Sequence, residues 1–212
     1  AIRRSPAFQF RVSANMAQAP PVPTRGDLLW SGEHWIAYLR PPAGGSPTAM
    51  VSLYHAYPSP AGIGTAAFVQ IQGDPGYTAL CTDNAPFARF VKETQVNASA
   101  PYDVEMPMVD AYFRRDGALR DRSRWTVSTG SHQVIAAWRE LHTPLVGPPT
   151  ANRRIVFTIL VFADRAAIEL DGHRVEGDPY PREIWAKTLG RPMSSCVIAL
   201  AETMVCGSSH DP

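Results

Sequence analysis

Lysine is nearly missing from this 212-residue chain: of 20 basic residues, only Lys92 and Lys187 are lysines and the other eighteen are arginines. The formal net charge is +1, without the excess of positive charge that nucleic-acid binding draws on, so no nucleic-acid partner is expected. Arginine in place of lysine, beside abundant alanine, proline and glycine, is the composition of a GC-rich bacterial coding sequence. Cysteine is scarce too. Cys81, Cys196 and Cys206 form no C-x-x-C or comparable pair, so neither a structural zinc site nor a disulfide framework is signalled. Reduced thiols and a cytoplasmic location are the expectation. Were 196–206 one extended strand, its end cysteines would stand roughly 30 Å apart, too far to bridge; Cys81 remains open to either.

Long apolar runs are absent as well. None approaches the roughly 18 residues of a membrane-spanning helix, so no membrane association is expected, and Arg3, Arg4, Gln9, Arg11 and Asn15 interrupt any secretory core. Gly62-Ile63-Gly64 lacks the third glycine and the strand-to-helix setting of a dinucleotide site, and no lysine follows a glycine run. H-E-x-x-H and G-x-S-x-G do not occur. No metal and no cofactor are expected.

What is present is apolar patterning of short period. Hydrophobic residues make up 45% and charged residues 18%, which suits a folded single domain with a substantial core. The organising stretch is 153–175. Residues 153–163 are apolar on both alternating faces and rich in β-branched and aromatic side chains, the pattern of a central strand. Residues 166–170 then lead into Asp171-Gly172, suited to the positive φ angles of a two-residue hairpin turn, and His173-Arg174-Val175 returns.

Residues 1–26 read as a flexible proline-bearing lead, with 1–15 preceding Met16 as a segment foreign to the native start; 27–206 form one β-rich domain and 207–212 a tail. Within the domain, strands are predicted at 34–40, 48–57, 63–72, 77–82, 109–114, 118–121, 124–129, 133–142 and 195–205. Asp116-Gly117 is read as a second hairpin turn, and 97–107 and 143–152 as loops. Two short helices are predicted: 86–95, capped by Asp83 or Asn84 with proline in its first turn, and 182–189, stopped by Gly190. Many strands, two helices and no βαβ repeat give a mainly β or α+β fold: an antiparallel curved sheet or a β-barrel. It resembles lipocalin-like barrels in architecture alone, which does not fix function.

Trp138, Glu140 and His142 alternate along one strand and so share a face. A carboxylate beside an imidazole would orient it as a general base near neutral pH, with the tryptophan as an apolar wall. His55 and Tyr57 share a face with Val51 and Leu53, and His34 one with Ile36 and Tyr38. Against each stands a plainer reading: hydrogen-bonded core histidines, and a Glu140–His142 pair emerging into solvent. Cys81 reads as a buried, inert thiol. Arg114, Arg115, Arg120, Arg122 and Arg124, partly neutralised by Asp116 and Asp121, read as a charged edge that discourages strand association.

The leading expectation is a small-molecule-binding β-barrel-like domain. Its apolar cavity would be lined by Trp35, Tyr38, Tyr57, Trp125 and Trp138 with His55, and would enclose one small apolar or aromatic molecule. The first alternative is a cofactor-independent isomerase, cyclase or hydrolase in that cavity, with His142 or His55 as base and Glu140 as its orienting partner. The second is a homodimeric interaction module with a filled interior, paired through an edge strand.

Overall fold

The computed structural model describes residues 26–94, 105–119, 122–151 and 154–207. In chain order the elements are β1 (Gly26–Leu39), β2 (Ala49–Ala56), β3 (Gly64–Ile71), β4 (Tyr77–Thr82), α1 (Ala85–Thr94), β5 (Met108–Asp110), β6 (Tyr112–Ala118), β7 (Arg122–Ser128), β8 (Gln133–Leu141), β9 (Leu145–Ala151), β10 (Arg154–Leu170), β11 (His173–Arg174), β12 (Pro181–Arg182), α2 (Ile184–Leu189), β13 (Met193–Ser194) and β14 (Val197–Gly207). The lead before Gly26, the tail after Gly207, most of the expected loop at 97–107, and Arg120 and Asp121 lie outside the described residues.

The apolar run predicted as a central strand is the first part of β10, which continues without a break to the hairpin. Both its faces are apolar because both are covered. Val161 and Ala163 join the core inside the curve of the sheet, while Leu160 and Phe162 are buried on the opposite face beside Trp185 and Leu189 of α2. One edge of β10 pairs with β14; the other pairs first with β9 and then, from Ala163, with β8. At its end Asp171 (φ 53°) and Gly172 (φ 81°) both take the left-handed backbone of a tight hairpin, and Glu169 and Leu170 pair with β11.

The main sheet runs β5-β4-β3-β2-β1-β14-β10-β8-β7-β6. Its two ends are two pieces of one segment: β5 pairs in parallel with β4, and β6, one residue further on, pairs antiparallel with β7. The strongly curled half-barrel is thereby tied end to end. Its concave side is filled by a single cluster drawn from β1–β4 on one flank and β7, β8 and β10 on the other, with Trp35 and Trp138 fully buried. On the convex side α1 covers Tyr54, Phe68 and Leu80 with Phe87, Ala88 and Val91. Asn84 Oδ1 accepts from the Phe87 amide at 3.1 Å, so the predicted cap is Asn84. α2 ends at Gly190, whose φ of 77° is the expected left-handed stop.

Three local expectations are corrected. Residues 143–152 are not all loop: Leu145–Ala151 is β9, whose Pro148 and Pro149 are tolerated because, among the described residues, it pairs only with β10 and is an edge strand. Asp116 and Gly117 do not turn; they lie within β6, paired with Arg124 and Ser123, and the reversal comes after Ala118. The strand expected at 34–40 is longer: β1 begins at Gly26 and runs through Ser31-Gly32. The neighbouring strand crosses so close that a Cβ on Gly32 would stand 2.1 Å from the His55 carbonyl oxygen. No helix among the described residues is long and apolar enough to cross a membrane.

Candidate functional site

Strand register builds a row of polar side chains at one end of the concave face. Trp35, Leu53, Ala67 and Cys81 point into the core from β1, β2, β3 and β4. The residues two positions away on the same faces are Glu33, His55, Thr65 and Asp83. Glu33 pairs with His55 and His55 with Thr65, and Asp83 Oδ1 accepts from the Thr65 amide at 2.7 Å. From the opposite flank, Arg115 of β6 and Trp125 of β7 meet this row. It forms the polar mouth of an otherwise apolar interior.

Glu33 is 9% exposed, and its charge is met by three donors. Oε2 accepts from Trp35 Nε1 at 2.9 Å and from an Arg115 guanidinium nitrogen at 2.7 Å; Oε1 accepts from the Tyr57 hydroxyl at 3.2 Å. Such a carboxylate is held in one orientation. The Arg115 guanidinium lies 5.6 Å from the Trp35 ring centre and keeps about two-fifths of its side chain in solvent, so part of its donor fork is open.

His55 Nδ1 is 2.9 Å from Thr65 Oγ1. Its ring lies 5.2 Å from Tyr57 and 5.7 Å from Trp125. Burial lowers its pKa; Glu33 and Asp83 work against that shift and Arg115 adds to it. The imidazole is therefore neutral at neutral pH, and among the described residues nothing bonds its Nε2. Beside it, Trp125 Nε1 is buried and has no partner among the described residues.

The sequence-predicted residues divide accordingly. His55, Tyr57, Trp35 and Trp125 converge at the mouth. Tyr38 does not: it lies on the convex face with Ile36 and Met50, because it is an odd number of residues from Trp35 on the same strand. Trp35, Trp125 and Trp138 do not enclose a hollow. Trp35 packs edge-on against Trp125 and Trp138 at ring distances of 6.0 and 5.3 Å, and Trp138 Nε1 donates to the Ile36 carbonyl at 2.8 Å; the three rings fill the interior. The Glu140–His142 pairing is not formed. Glu140 has a φ of 52°, which breaks the extended alternation, and its carboxylate binds Arg165 at 3.0 Å while His142 Nε2 meets Asp164 at 2.7 Å. Among the expected arginine edge, Arg114 and Arg124 do meet Asp116, but Arg115 turns inward to Glu33.

A second polar cluster sits on the convex face between the two helices. His34 Nε2 is 2.7 Å from Ser52 Oγ, its ring stacks on Tyr54 at 3.9 Å, and its Nδ1 is 3.9 Å from Glu202 Oε2. The order carboxylate, imidazole, hydroxyl is that of a nucleophilic triad. Ser52 is, however, 1% exposed in mid-strand, which denies it a substrate. Burial, helped by Arg182, brings His34 down to about 3, and burial lifts Glu202 to about 7. The extra residue that turns Glu202 toward His34 is Ala201, a bulge in β14 at φ 48°. The thiols of Cys81 and Cys196 take no part in either cluster. Cys81 and Cys196 are free and buried, and burial raises both, Cys196 to about 12. No group of three or more potential metal ligands occurs among the described residues.

Sequence reasoning missed Glu33, Thr65, Asp83, Ser52, Glu202 and Asp164. Only Glu33 carried a signal: it begins the inward alternation Glu33, Trp35, Ala37, Leu39.

Fold and site together define a curled half-barrel β domain with buried aromatic clusters and a polar mouth. The chain matches no protein-family model, no curated protein sequence and no solved structure.

Proposed function

We propose that this domain binds a small molecule at the mouth of the half-barrel, and that the ligand is a flat aromatic compound bearing a hydrogen-bond acceptor. The observation that carries this reading is the convergence of donors and rings from four strands around a buried, fully compensated carboxylate. Glu33 holds Arg115 and Tyr57 in place. The open part of the Arg115 fork then meets an acceptor, while Tyr57 and His55 offer ring faces and edges. The Trp125 ring, beside His55, belongs to the same wall. Preorganisation of this kind lowers the ordering cost of binding. The ligand lies on the packed aromatic layer, at the mouth.

The test uses protein labelled with 5-fluorotryptophan, with the Trp125 fluorine line assigned by Trp125→Phe. A panel of small aromatic acids, amides and phenols is titrated in. Members with an acceptor group are expected to shift the Trp125 line saturably in the wild type and to lose that effect in Arg115→Ala. A Trp125 line silent to the whole panel, or shifts indifferent to Arg115, would sink the reading.

A further inference from the structure

A second site lies away from the mouth. Arg40 follows β1 at its other end, seven residues beyond Glu33 or about 23 Å along an extended strand, and its guanidinium stacks on Tyr180 at 3.9 Å. Tyr180 lines a cleft of about 360 Å³ whose other walls include His142, Asp164, Arg191, Met193 and Ser194. That volume is within the range of small-molecule sites.

The walls are fixed by hydrogen bonds that leave a definite set of groups unused. The His142 amide donates to the Phe162 carbonyl at 2.8 Å. Its Nε2 is committed to Asp164 Oδ1 at 2.7 Å, so Nδ1 is the ring nitrogen left for another partner. Ser194 is spoken for: its hydroxyl donates to the Ala163 carbonyl at 2.6 Å and accepts from the Cys196 amide at 3.1 Å. It is wall, not nucleophile. The Tyr180 backbone is held by Ser195 Oγ at 3.0 Å. Arg191 has no ion-pair partner among the described residues and is exposed at the rim. The remaining surface is apolar: the Tyr180 ring, buried Met193, and Pro179, Pro181 and Pro192.

We infer that this cleft is a binding site for a small organic anion, a carboxylate on an apolar body. Of the charged groups lining the cleft, Asp164 is hydrogen-bonded to His142, whereas Arg191 has no ion-pair partner among the described residues, and its planar fork matches a carboxylate. Met193, Tyr180 and the prolines take the apolar body. His142, held by its hydrogen bond to Asp164, contributes ring surface to the same wall.

The experiment uses the full chain with ¹³C-labelled methionine methyl groups, the Met193 line assigned by Met193→Leu, and 4-fluorobenzoate as probe at neutral pH. The Met193 methyl is expected to shift saturably with 4-fluorobenzoate. The uncharged isostere 4-fluorobenzamide, and 4-fluorobenzoate with Arg191→Ala, are each expected to bind at least about tenfold more weakly, a ratio that corresponds to one charge-assisted contact. Arg191 is exposed, and an unchanged circular dichroism spectrum confirms that the variant is folded. An unmoved Met193 line, or a response equal for acid and amide or unaltered in Arg191→Ala, overturns the inference. Because the reporter is Met193 rather than Trp125, failure here leaves the mouth reading untouched.

Discussion

Glu202 should make the protein less stable as pH rises through neutrality. Its folded-state pKa is raised from 4.5 to about 7 by burial, and its side chain is 13% exposed. Below pH 4.5 the carboxyl is protonated in folded and unfolded chains alike, and it contributes no pH dependence. Between 4.5 and 7 the unfolded chain gives up this proton while the folded chain keeps it, so stability falls with pH. A gap of this size corresponds to about 3 kcal/mol, fully lost above pH 7. His34 works in the opposite sense. Its pKa drops from 6.5 to about 3 on folding, so stability is gained as pH rises between those values. Across pH 4.5–6.5 the two slopes cancel, and the pair contributes a plateau. Glu202→Gln keeps the shape of the protonated acid and removes its titration. In urea unfolding at a series of pH values, the variant should match the wild type near pH 4.5 and exceed it by about 3 kcal/mol at pH 7 and above. A difference between the two proteins that does not change between pH 4 and 8 would refute the reasoning, since a merely structural effect of the substitution has no reason to follow that titration.

Four further outcomes are expected. Trp138→Ala empties a fully buried site and should cost about 3–5 kcal/mol in urea unfolding; a loss below about 1 kcal/mol would mean the interior collapses around it. Gly32→Ala places a Cβ against the His55 carbonyl; thermal melts should show a severe loss of stability, and an unchanged melting temperature would contradict the register of β1 on β2. Ala201→Gly relieves a left-handed backbone and should stabilise by roughly 0.5–1 kcal/mol, read by the same melts. Arg115→Ala removes a positive charge that lowers His55; the His55 ring titration followed by NMR should move to higher pH, and an unmoved titration would place Arg115 away from the imidazole.

The strands were legible where the chain alternates cleanly or is apolar on both faces, as in 49–56, 64–71 and 154–170, because period-two patterning and the Asp171-Gly172 turn are local signals. The two helices were legible from Asn84 and Gly190 for the same reason. What escaped depended on the partner strand. Pro148 and Pro149 argue for loop until β9 is known to be an edge. Glu140 obeys alternation on paper, but its left-handed backbone breaks it in the fold. Ala201 carries no sign of the bulge that swings Glu202 toward His34. The mouth shows the same limit: His55 and Tyr57 could be read as a pair from β2 alone, whereas Arg115 reaches Glu33 across a sequence separation of 82, which no spacing rule encodes.

The place of β14 in the sheet has a bearing on how the chain folds. β14 is the last of the described strands in sequence, yet it lies between β1 and β10, with Gly26 opposite Gly207. As the polypeptide leaves the ribosome, β1 and β10 each wait with one unsatisfied edge until residues 197–207 arrive to fill the gap. Such distant pairings make for slow closure, and the waiting edges are the surfaces on which a nascent chain aggregates or recruits a chaperone.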